Sequence, residues 1–166
     1  MTFDEALQAE RDGHLVRAAN HYERLLEKGT PPLRALLNLA VLYWQTTDYG
    51  YWTTKGLPQD FVAKAGQRFP EVLARAGDLY PESTEVKFWT KYIEWADLGE
   101  PLSVEDCVRW LQEDEEALVP VMFLFSQSGG QEYGTEATAL LAESKKHDTT
   151  LSRYVASVIE SVRARR

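Results

Sequence analysis

The chain has 166 residues, 44% of them hydrophobic, and 26 acidic side chains against 18 basic ones, for a formal net charge of −8. That length suits one domain with a real core, so a single helical domain over 1–166 is expected. The charge excludes nucleic-acid binding driven by phosphate contacts and disfavours attachment to an anionic membrane.

Further exclusions come from single features. Cys107 is the only cysteine, which rules out an intramolecular disulfide and a zinc site built on thiolates. The opening MTFDEALQAERDG has neither the basic nor the apolar region of a secretory signal. No stretch approaches the roughly 18 apolar residues of a membrane span, so a cytoplasmic protein is expected.

Helical periodicity dominates. A first helix is expected over Phe3 to about Arg11, ended by Gly13. A second runs from Leu15 to Lys28, with Leu15, Ala18, Ala19, Tyr22, Leu25 and Leu26 on one face. The text GTPP at 29–32 stops it. A third, about Leu33 to Gln45, is nearly all apolar and so is expected to be covered on more than one side. Residues 47–57 carry no helical pattern. Two pieces follow, LPQDFVAKAGQRF and PEVLARAGDLY, divided at Pro70. Residues 81–99 form a strong helix with Gly99 as its stop. Ser103, with Asp106 three residues on, starts a helix over about Val104 to Gln112. Another begins around Asp114, with Pro120 near its first turns, and QEYGTEATALLAESKK follows. The last covers about Thr150 to Arg163. The count is eight or nine helices and no strand.

Gly13, Ala18, Tyr22, Leu26 and Pro31 stand at the spacing of the second helix of a tetratricopeptide repeat, and Leu36, Leu39, Ala40 and Tyr43 fit its first helix. Ala6 and Ala40 lie one repeat length apart, about 34 residues. The N-terminal 45 or so residues therefore resemble a tetratricopeptide-like unit. The register then fails, because Thr47 and Trp52 fall where Gly and Ala are needed, and Glu5 occupies an apolar position. The resemblance implies an all-α array of antiparallel helical hairpins, an α-solenoid that binds peptides or proteins on a concave face.

Catalytic signatures are scarce. There is no HExxH, no GxSxG and no GK[ST]. Glu10 and His14 have ligand spacing, but Gly13 intervenes. Cys107 sits in the apolar-periodic VEDCVRWL and reads as a buried thiol. No enzyme, cofactor or metal is expected.

Two features remain. Residues 43–52 hold five of the 19 aromatic rings. Tyr43 falls on an inward position and reads as core. Trp44, Tyr49, Tyr51 and Trp52 are expected to border a binding surface. The acids Glu113, Asp114, Glu115 and Glu116 fit a helix N-terminus, where the macrodipole favours negative charge. They also fit a patch for a basic partner. The function expected is a non-enzymatic protein-binding module with a basic protein partner, of the kind an immunity protein or antitoxin provides. Two alternatives are a small-ligand or enzymatic site walled by 43–54, with Asp48, Tyr49 and His21 as polar groups, and a homodimeric scaffold that buries the rings.

Overall fold

The computed structural model describes residues 2–166. Ten helices lie among them and no strand: α1 (Phe3–Arg11), α2 (Leu15–Leu26), α3 (Leu33–Thr46), α4 (Tyr49–Thr54), α5 (Gln59–Leu79), α6 (Thr84–Leu98), α7 (Val104–Glu113), α8 (Pro120–Gln127), α9 (Gly134–His147) and α10 (Thr150–Ala164). The all-α class is as expected, with one or two helices more than the sequence pattern shows. The chain forms two compact units. Met1–Pro81 with Thr149–Leu151 make the first, and Glu82–Asp148 with Ser152–Arg166 make the second.

In the first unit, α1 begins with a capping box: Glu5 N–H donates to Thr2 Oγ1, and Thr2 N–H donates to Glu5 Oε2. Gly13 (φ +79°) ends α1 in a left-handed turn, with His14 N–H reaching Ala9 O and Gly13 N–H reaching Glu10 O. This paired arrangement satisfies carbonyls that the helix end would otherwise orphan. The three residues between α1 and α2 close a hairpin, and Ala6, Ala18 and Ala19 are fully buried where side chains must be small. α3 packs against both α2 and α5. That double cover explains why every residue from Ala35 to Trp44 is buried.

One carboxylate lies inside this unit. Glu10 has 0% exposure. Its Oε2 accepts from the Tyr22 hydroxyl at 2.6 Å, and Asn38 Nδ2 donates to that same hydroxyl at 3.2 Å. Its Oε1 accepts from Thr150 N–H at 2.6 Å, so Glu10 caps the first turn of α10 from far away in sequence. A buried charge persists only when its lone pairs are filled, and here a helix N-terminus helps fill them. Burial and the Glu10 charge push the Tyr22 phenol far above its ordinary range.

α5 corrects the expected break. It runs unbroken through Pro70. Proline cannot donate to Gly66 O, a loss that typically costs about 3 kcal/mol in a helix interior. Gly66 and Pro70 both lie on the exposed face, where solvent can serve that carbonyl, while Phe61, Ala65, Val72, Leu73 and Ala76 bury the other face. A second correction concerns residues 47–57, which hold the short helix α4. Its start is Asp48, whose Oδ1 accepts from Tyr51 N–H at 2.8 Å. Its stop is Gly56 (φ +64°), with Leu57 N–H on Trp52 O and Gly56 N–H on Thr53 O.

In the second unit, α6 starts at Thr84, after Ser83 caps Val86 N–H, rather than at Pro81. It ends at Gly99 in the left-handed region, as expected. Ser103 caps α7 through Asp106 N–H. The core is aromatic. Trp89 and Tyr92 meet Tyr154 of α10, Trp95 meets Phe123 of α8, and the Tyr92 and Tyr154 hydroxyls are 2.7 Å apart. α8 begins at Pro120, not near Asp114, and Val121 to Phe125 are all buried. No helix among the described residues is long and apolar enough to cross a membrane.

Candidate interaction surface

The five rings of 43–52 divide between two helices. Tyr43 is fully buried, as expected, with its hydroxyl donating to Glu23 Oε1 at 2.9 Å. Trp44 departs from expectation. It is only 6% exposed, because α3 is covered on two sides, so it belongs to the core and borders no surface. The other three rings sit on α4, a helix with no buried residue. Tyr49 is 73% exposed and meets the half-buried Trp52 edge-on, with ring centroids 5.4 Å apart. Tyr51 is also half-buried. Lys55 Nζ lies 5.8 Å over its ring, and its hydroxyl is 3.4 Å from Thr150 Oγ1.

Beside α4 is a shallow depression of about 430 Å³, lined by Gly13–Arg17 and Gly56–Pro58. Its walls are the two left-handed glycine turns that end α1 and α4. Asp48, Tyr49 and His21 do not line it, so the expected ring-walled pocket is not this one. The sequence did carry a signal for the depression: glycines at 13 and 56, each followed by an apolar residue within two positions. What it lacked was the proximity of two turns more than 40 residues apart.

The acidic run lies in the second unit, and at the opposite end of a helix from the one expected. Glu113 is the last residue of α7 and Asp114 its C-cap. All four acids are exposed. Asp114 Oδ1 accepts from Glu116 N–H at 3.1 Å, and Arg109 reaches Glu113 at 3.8 Å and Asp106 at 2.7 Å. A helix C-terminus is the negative end of the macrodipole, so it does not favour Glu113 or Asp114, and Glu115 and Glu116 lie past the cap. Local helix energetics therefore do not explain this run.

Glu23 and Cys107 are the clearest cases of titratable groups engaged or sealed by the fold. Burial would raise the Glu23 carboxyl, but hydrogen bonds from Arg68 and Tyr43, and the Arg68 charge, outweigh it and hold the group below the ordinary carboxylate range. Arg68 Nε and Nη2 grip both Glu23 oxygens, at 2.9 and 2.8 Å. Burial first, then Asp106, push the Cys107 thiol up to about 12, so it stays protonated at neutral pH. Glu10 faces inward while His14 is exposed, and no group of three potential metal ligands occurs among the described residues.

Comparison with protein families, curated proteins and solved structures finds no match for this chain.

Proposed function

We propose that the chain is a non-enzymatic protein-binding module anchored by the Tyr49–Trp52 ring pair. The observation behind this reading is α4 itself, a capped helix that buries no residue yet presents two large rings. Tyr and Trp are typical interface anchors, because each offers wide apolar area at small entropic cost. The test is recovery of a partner from lysate of the source cells. Wild-type protein should retain a protein that the Tyr49→Ala/Trp52→Ala variant loses, with the variant still folded. Equal recovery by both would overturn the reading.

A second observation favours a basic partner. The exposed acids 113–116 occupy a helix end that does not stabilise them, and a net charge of −8 steers positive molecules toward the chain. The narrower form is neutralisation of a basic enzyme, as by an immunity protein or antitoxin, and a toxin encoded beside this chain would favour it. Partner association that ignores ionic strength would count against it. We also read α1–α3 as a tetratricopeptide-like unit. The buried Ala18, Tyr22 and Leu26 and the left-handed Gly13 support that reading.

A further inference from the structure

The depression beside α4 has a character opposite to that of the chain as a whole. Leu15, Val16, Leu57 and Pro58 give it apolar walls, its two ionisable lining residues are His14 and Arg17, and no acid lines it. Among the described residues, neither of these two side chains is tied up in a hydrogen bond or an ion pair. One acid, Glu5, lies within electrostatic reach of Arg17. Glu5 already accepts the Thr2 N–H of its capping box, which holds it at the start of α1. A cation and an imidazole at the rim of an apolar hollow suit a ligand with an apolar body and a carboxylate beside it.

We propose that this depression binds an acidic–apolar segment of a partner protein, with a Leu-like side chain between the Gly13 and Gly56 turns and an adjacent Asp or Glu carboxylate on Arg17 and His14. Charge complementarity selects the occupant, since a basic segment would be repelled by Arg17. The volume, about 430 Å³, holds one large side chain and its neighbours rather than a whole folded element. Arg is suited to carboxylate recognition because its planar fork meets both oxygens at once. This inference goes beyond the ring-pair reading and does not depend on it, because its test uses no native partner.

The experiment is a titration of ¹⁵N-labelled protein with the blocked peptide acetyl-Glu-Leu-Glu-Leu-amide, followed by amide shifts. Saturable shifts confined to the amides of residues 13–17, 56 and 57 are expected, Pro58 having no N–H. The matching Lys-Leu-Lys-Leu peptide should give none. Arg17→Glu should weaken binding by about tenfold or more, whereas Lys28→Glu, the same charge change on an exposed residue outside the depression, should weaken it much less. Leu57→Asp, checked for native amide dispersion, should also abolish the shifts. The proposal is overturned by absence of shifts at millimolar peptide, by equal binding of the Lys peptide, or by equal effects of Arg17→Glu and Lys28→Glu. It is also overturned if the 13–17 amides shift with protein concentration alone, which would assign the depression to a second copy of this chain.

Discussion

The dipeptide Tyr-Trp occurs twice, at 43–44 and at 51–52, and the two copies meet different fates. In α3 both rings are buried; in α4 both are half-exposed. Residue type cannot separate them. The difference lies in what covers each helix. α3 is packed between α2 and α5, whereas α4 rests mainly on α3, with Tyr51 also reaching Thr150, and none of its residues is buried. α4 has only six residues, well below the length at which helices hold by themselves, so its Asp48 and Gly56 ends and its seat on α3 must maintain it. An aromatic stretch thus becomes core or surface according to the number of neighbours its helix has.

The largest effect is expected at Trp44. Trp44→Ala should cost about 3–5 kcal/mol, because the cavity would lie in a helix enclosed on two sides. Urea denaturation with an unchanged slope checks it. A cost below about 1 kcal/mol would mean that α3 is not enclosed as described. Next comes the polar layer under α3. Tyr22→Phe takes one donor from the buried Glu10 carboxylate and an acceptor from Asn38, and should cost about 1–3 kcal/mol. If it costs nothing, another donor fills the Glu10 site.

A smaller effect tests the tie between α3 and its neighbours. Tyr43 and Arg68 both donate to Glu23. The Glu23 carboxyl is lowered in the folded chain, so its contribution is present above the ordinary carboxylate pKa and is lost as pH falls through the folded value. Glu23→Gln should therefore lower Tm at neutral pH by the equivalent of about 1 kcal/mol, since Arg68 is partly exposed. The gap between wild type and variant should narrow below about pH 4. A gap independent of pH would show that the loss is one of packing.

Much of this fold is legible along the chain. Period 3.6 marks α1, α2 and α3, and Gly13, Gly99 and Ser103 mark ends that the structure keeps. The errors have local causes. YGYWTT has poor helix formers, and its only signals are Asp48 before it and Gly56 after it. Pro70 suggests a stop, but the long buried face of α5 overrides it. The four acids suggest the start of a helix, yet Pro120 sets the start of α8 and leaves them behind at the end of α7. The candidate site was half legible. Tyr49 and Trp52 could be picked out as unusual, and the cover expected on more than one side of α3 already argued for an inward Trp44, against the reading that set it at a binding surface.

The smallest effect on stability is expected at Tyr49, and it separates surface from core most directly. With 73% of its area in solvent, Tyr49→Ala should change folding free energy by no more than about 0.5 kcal/mol. Its one ring neighbour, Trp52, keeps its place on α4 through the backbone and the Asp48 cap. Yet if α4 is the anchor, the same substitution should weaken partner binding by roughly 30-fold, the scale of an interface hot spot. Trp44→Ala should show the reverse pattern, a large loss of stability and, in whatever fraction stays folded, little loss of affinity. Surface plasmon resonance with the recovered partner, alongside melting curves for both variants, reads the two quantities independently. A Tyr49→Ala protein that melts early and binds normally would place this ring with the first Tyr-Trp pair and remove the distinction between the two helices.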